Sequence, residues 1–285
     1  MTRISCKIIQ LTLFVSIFIF IVGLSLFSAD DSSSAGRYFQ AGLQEYENKQ
    51  YEAALANLDN AVKADPVHIK AYLTRALVKE ELKDNKGAIM DYSKVLRLDP
   101  NNKTAVICRG NLFYYGNMLD WALKDYDRAI SLGVNSADIY FWRGEARQES
   151  KDSKGALEDY LKAIKLDNNH SSAYREAGRM IKDTALGIKY LDKAISLNPK
   201  DANAYLTRGL RKATLKDLKS AIADLSKASE IEPDYAEVYL SRGTLEKQLK
   251  MYDEAIQDFE TVKRLGKPDM DEWIEEVKAL KEKQG

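Results

Sequence analysis

From residue 35 almost to the C-terminus, apolar and small residues recur at helical spacing in paired segments, each pair joined by a short polar turn. Residues 202–233, ANAYLTRGLRKATLKDLKSAIADLSKASEIEP, show the unit most clearly, with the turn near Lys216 and Asp217. Pro66 to Pro100, Pro100 to Val134, Val134 to Asn168 and Pro199 to Pro233 are each 34 residues. Asn168 to Pro199 is 31, so one unit is three residues short. Pro66, Pro100, Pro199 and Pro233 each close a unit, because proline cannot continue the helical hydrogen-bond ladder. A 34-residue period of two helices predicts an all-α solenoid. No unit buries its apolar face alone, so neighbours must stack. The seven units are residues 35–66, 69–100, 103–134, 137–168, 171–199, 202–233 and 236–267.

Both ends depart from the pattern. Residues 268–285 are read as a capping helix and tail. Trp273, Ile274, Val277 and Leu280 share one face of this helix, and Glu275, Glu276, Lys278, Lys281 and Lys283 fill the rest. Such a helix would cover the open face of the last unit; an independent partner-binding helix is the alternative. At the other end, Arg3 and Lys7 precede an uncharged apolar run over residues 8–27, and Asp30 and Asp31 follow it. Basic before and acidic after places the N-terminus in the cytoplasm and the remainder across a membrane. Residues 1–29 therefore read as a cleaved export signal or an uncleaved membrane anchor. Both readings stay open: the run just reaches spanning length, and Gly23–Ser25 and Leu26–Ser28 are imperfect cleavage sites. Residues 30–34 read as a linker.

Small residues recur at fixed places in each unit. The first helix carries Gly42, Ala76, Gly110, Gly144, Gly178, Gly209 and Gly243. The second carries Ala54, Ala88, Ala122, Ala156, Gly187, Ala221 and Ala255, followed seven residues later by Ala61, Val95, Ala129, Ala163, Ala194, Ala228 and Val262. Tyrosines mark the start of most first helices, and bulky residues from Leu58 and Tyr92 to Phe259 mark the second. Helices approach closely only where side chains are small. On these residues the chain resembles the tetratricopeptide repeat family over residues 35–267. The resemblance implies a right-handed superhelix whose first helices line a concave groove.

An arginine precedes the small residue in five units, and an aspartate lies in the second helix of the same five. The pairs are Arg75 with Asp91, Arg109 with Asp125, Arg143 with Asp159, Arg208 with Asp224, and Arg242 with Asp258. Units one and five lack both, having Ala41 with Asn57 and Ala177 with Tyr190. Presence and absence together predict ion pairs between the two helices, suited to arginine's planar fork. The alternative is an arginine ladder for an anionic ligand.

Composition narrows the function. The 43 basic and 43 acidic residues cancel, which argues against nucleic acid, since that partner needs a basic face. Cys108 is the one cysteine outside the N-terminal segment, and His68 and His170, read as exposed loop residues, are far apart. No zinc spacing, phosphate loop or catalytic carboxylate pair stands out, so no cofactor, metal or enzymatic activity is expected.

Binding remains. Groove candidates are Phe39, Leu43 and Tyr46 in unit one, and Leu73, Leu77 and Glu80 in unit two. Units three and four offer Ile107, Asn111, Tyr114, Phe141, Glu145 and Gln148. Unit five offers a basic patch of Arg175, Arg179 and Lys182, and unit six Leu206 and Leu210. The lysine and asparagine set of the family's carboxylate-clamp subgroup is absent, with Phe39 and Leu43 at the first-unit positions. Apolar anchors beside a charge cluster suit an extended segment carrying an acidic group. The expectation is an exported scaffold, periplasmic, in the cell envelope or secreted, that binds a protein or peptide partner and touches membrane only through residues 8–27 if these are uncleaved. The alternative is a module for a glycan or anionic lipid.

Overall fold

A computed structural model of the chain describes residues 33–267 and 269–283. The export segment, residues 1–29, lies outside these. Among the described residues there are fifteen α-helices and no strand. They are α1 (Ser34–Glu47), α2 (Tyr51–Ala64), α3 (Ile69–Glu81), α4 (Asn85–Leu98), α5 (Lys103–Tyr115), α6 (Leu119–Ser131), α7 (Ala137–Glu149) and α8 (Ser153–Leu166). Then come α9 (Ser171–Met180), α10 (Thr184–Leu197), α11 (Ala202–Thr214), α12 (Leu218–Ile231), α13 (Ala236–Gln248), α14 (Tyr252–Arg264) and α15 (Asp271–Glu282). Helices follow one another in pairs, one pair per repeat unit, with α15 last. Ser33 caps α1 and Ser34 opens it, so the stretch read as a linker ends inside the first unit.

The chain forms two compact bodies, Met1–Leu112 and Phe113–Gly285, divided within α5. In the first, α1 packs on α2, α2 on α3 and α3 on α4, and α1 also meets α3. In the second, each helix from α6 to α14 packs on its successor, and α11 also meets α13. The cores are built from the small and bulky positions of the repeat. Leu58, Tyr92, Tyr126, Tyr160, Leu191, Leu225 and Phe259 are fully buried. Gly144 shows why small residues are required opposite them. A Cβ there would lie 2.8 Å from the Tyr160 ring. At Gly42 it would lie 2.7 Å from Leu58 Cγ.

Helix starts follow the register as well. His68, Asn102, Ser136, His170 and Asp201 occupy one position, and each side chain accepts a backbone N–H from three residues on. The histidines are therefore not exposed loop residues. His68 packs 5.1 Å from the Phe39 ring and His170 4.8 Å from Phe141, and His68 is buried. Between first and second helices, Lys49, Lys83, Lys151, Lys216 and Lys250 adopt positive φ, as does Asn117. At the C-terminus, Met270, Ile274 and Val277 join Ala255, Phe259 and Val262 in one core. Trp273 is 40% exposed and meets Phe259 edge-on at 5.6 Å, so it lies at the rim of that core.

Candidate interaction surface

Four of the five arginine–aspartate combinations lie within a single body. Arg75 donates from Nε and Nη2 to Asp91 at 2.9 and 2.6 Å. Arg143 reaches Asp159, and Arg208 reaches Asp224, at the same distances. Arg242 reaches Asp258 at 2.8 and 2.7 Å. Each carboxylate is buried. A second cation shares it in three units: Lys79 on Asp91, Arg147 on Asp159 and Lys212 on Asp224. Arg109 and Asp125 lie in different bodies; Asp125 is buried, and Arg109 donates to Ser93 at 3.1 Å.

Each arginine also reaches back sixteen residues to the second helix of the preceding unit. Arg75 donates to Asp59 at 2.7 Å, Arg143 to Asp127 at 2.8 Å, Arg208 to Asp192 at 2.7 Å, and Arg242 to Ser226 at 3.1 Å. The guanidinium lies 5.2–5.4 Å over a tyrosine ring three residues earlier: Tyr72, Tyr140, Tyr205 or Tyr239. One side chain thus joins two helices of its own unit to the unit before it. The donors point into the protein, which does not leave a ladder facing an anionic ligand.

The groove candidates divide by burial. Phe39, Phe141 and Leu206 are buried and belong to the core, Phe39 and Phe141 beneath the capping histidines. Leu43 and Tyr46 pack against the first core. Leu73, Leu77, Ile107 and Asn111 are half-buried. Lys182, Arg179 and Leu210 are exposed.

In the first body, Glu80 accepts from Tyr92 Oη at 2.6 Å, and burial pushes its carboxyl up to about 7. In the second, α7, α9 and α11 carry a connected polar network. Glu145 accepts from Tyr160 Oη at 2.5 Å. Burial, with the charge of Glu176 added, raises Glu145 to about 7. Glu176 accepts from Arg175 at 2.9 Å and from Arg179 at 2.8 Å. Arg175 also donates to Asp201 at 2.8 Å, and Arg179 donates to Gln148. The basic patch read from Arg175, Arg179 and Lys182 is therefore largely neutralised, because Arg175 is engaged by two carboxylates and Arg179 by one.

The three-residue deletion in unit five shortens its first helix. α9 has 10 residues where α7 has 13. Ile181 leaves the helix at φ −57°, ψ 127°. Arg211 of α11 donates from Nη2 to the carbonyls of Arg179 and Ile181, 2.7 Å each. The next unit thus satisfies acceptors that a further helical turn would otherwise have covered. Nothing in the repeat pattern pointed to Arg211.

Among the described residues, no group of three or more His, Cys, Asp or Glu side chains is placed to hold a metal. No described helix is long and apolar enough to cross a membrane. What the surface offers is shaped hydrogen bonding, charge and exposed rings.

Known proteins give the same architecture. One family model described as Tetratricopeptide repeat matches residues 23–103, and a second so described matches residues 137–170 and 236–265. Together they span just over half of the chain. Among solved structures, MamA is 26% identical, covers 59% of this chain and 94% of its own, and superposes with a TM-score of 0.53. YrrB, described as a TPR protein with an unusual peptide-binding site, is 21% identical, covers 65% of this chain and 97% of its own, and gives 0.57. A tetratricopeptide repeat protein from Parabacteroides merdae is 17% identical, covers 86% and 98%, and gives 0.62. No curated protein matches by sequence. The repeat register, the paired helices and these matches agree: the chain belongs to the tetratricopeptide repeat family.

Proposed function

We propose that this protein is a non-catalytic interaction scaffold that holds an extended peptide or partner helix along α7, α9 and α11. The observation that carries the reading is the network of Glu145, Gln148, Arg175, Glu176 and Arg179. It places donors and acceptors on consecutive first helices, beside exposed Lys182 and Leu210. Prepositioned polar groups flanked by apolar contacts suit main-chain and side-chain recognition of a segment. The peptide-binding site described for YrrB supports the same use of this fold. The basic, apolar, acidic order of residues 1–31 supports a place outside the cytoplasm, anchored or released.

Photo-crosslinking in the native cells tests the reading. Benzoylphenylalanine would replace Lys182 or Leu210, and Glu158, exposed on α8, would serve as the control. The expected result is one dominant polypeptide at 182 and 210 and none at 158. Equal labelling at all three positions would contradict the groove. An intact protein that crosslinks to no polypeptide would favour the glycan or anionic-lipid alternative.

A further inference from the structure

In the second body, Tyr114 and Tyr115 at the end of α5 meet Trp142 of α7. The ring centroids lie 5.5 Å apart for the tyrosines, and 5.6 and 5.9 Å from each tyrosine to the indole. Phe141 backs the indole edge-on at 5.2 Å and is itself buried. The platform is therefore anchored in the core, while Tyr115 is 45% exposed.

The same helix face is acidic. Trp142, Glu145 and Glu149 stand at i, i+3 and i+7 on α7, so they lie along one side. Tyr114 reports the local field: burial raises its phenol, and Glu145, Glu149 and Glu176 raise it further. Two nearby cations, Arg175 and Arg179, are already engaged by Glu176 and Asp201. Glu149, Glu176 and Asp201 thus face two guanidiniums, with Glu145 partly protonated beside them, and Glu149 is exposed at the edge of the rings.

We infer that the Tyr114–Tyr115–Trp142 face with Glu149 takes a basic side chain, arginine or lysine, from an extended peptide. The inference rests on the peptide-binding reading and deepens it. Exposed ring faces attract a cation, and a neighbouring carboxylate adds charge complementarity. The protein makes this contact internally: Lys124 lies 4.9 Å over the Trp121 ring, and Arg75 5.2 Å over Tyr72. An acidic segment, the occupant expected from the apparent basic patch, would meet an excess of carboxylate here.

The test is selection of a random dodecapeptide phage library on the full-length protein. The enriched peptides would then be titrated by fluorescence anisotropy. Glu149→Lys and Tyr115→Ser change exposed side chains, and circular dichroism checks that both fold. The expected result is enrichment of arginine- or lysine-bearing peptides, with affinity falling about tenfold in Glu149→Lys and severalfold in Tyr115→Ser. Enrichment of acidic or neutral peptides, or basic peptides indifferent to both substitutions, would overturn the inference and leave the scaffold reading standing. No enrichment over a protein-free control would overturn both.

Discussion

Units four and five are neighbours in one body, yet they are held together differently. In unit four the contact between α7 and α8 contains its own fastening: Asp159, buried, accepts from Arg143 and Arg147 of the same unit. Arg143 also ties the unit to Asp127 behind it. Unit five has Ala177 and Tyr190 at the corresponding places, and its first helix is a turn shorter. Glu176 holds Arg175 and Arg179 within the unit, Arg179 reaches Gln148 of unit four, and further partners come from the unit-six side. Arg211 covers the carbonyls of Arg179 and Ile181, and Asp201 accepts from Arg175. A repeat can therefore lose its internal ion pair and a helical turn if the next repeat supplies the missing partners. The cost is dependence on that neighbour.

The largest effect should come from unit four. Asp159→Ala leaves two arginines without their buried acceptor and should cost about 3–5 kcal/mol, read by urea denaturation of the second body. Tyr190→Ala, at the same register in unit five, should cost less, since Tyr190 is only half-buried, packing beside the Ala173 and Ala177 core and 5.6 Å from Tyr174, and leaves no buried charge unpaired. Gly144→Val would push into Tyr160 and should cost about 1–3 kcal/mol by the same measurement.

Arg211→Ala comes next, at about 1–3 kcal/mol, because two backbone carbonyls lose their donor. The loss should be local to unit five. Gly187→Ala should cost more, since a Cβ there would lie 2.7 Å from Arg211 Nη1 and 2.8 Å from the backbone carbonyl of Gly178.

A smaller effect is set by pH. Glu145 titrates at about 7 in the folded protein against an ordinary 4.5, so the folded state holds the extra proton between those values. Its contribution to stability is fully present below the unfolded pKa and is lost as pH rises through about 7. Glu145→Gln should flatten the melting temperature of the second body between pH 5 and 7.5. Glu246 behaves in the same sense. It is raised to about 7 by burial and then by the charge of Asp258, and its Oε2 is buried without a hydrogen-bond partner. It occupies the register of Lys79, Arg147 and Lys212, so unit seven has a carboxyl where three other units have a second cation.

The smallest effect is a gain. Lys151 holds φ 67° in the turn of unit four, and Lys151→Gly should stabilise by about 1 kcal/mol in thermal melts. Lys182→Gly should bring no gain, because the shortened turn of unit five has no residue at positive φ.

Much of this was legible in the chain because a repeat shows each position several times. The helix pairs, the small residues and the arginine–aspartate register could all be read by subtraction. The backward contact was legible too, though easily missed. Asp59, Ser93, Asp127, Asp192 and Ser226 recur at the unit spacing, and Leu161 stands before unit five, the unit without the arginine. The capping histidines share their register with Asn102, Ser136 and Asp201, yet histidine is not among the usual caps. Burial of Phe39, Phe141 and Leu206 was not legible, because whether a first-helix residue faces a groove or a neighbour depends on the packing of the adjacent unit. The apparent basic patch failed for a partly different reason. Glu176 lies between the two arginines in unit five, but Asp201 reaches Arg175 from 26 residues away, in the turn before unit six. The deletion in unit five showed that a turn was missing, but Arg211 as its replacement appears only in three dimensions.

The dependence of unit five on its neighbour is tested most directly by amide hydrogen exchange on the second body, comparing the native protein with Arg211→Ala. Protection should fall in residues 177–187 while α7 and α8, held by Asp159, exchange as before. Unchanged exchange in residues 177–187, or an equal loss across α7 and α8, would contradict that dependence.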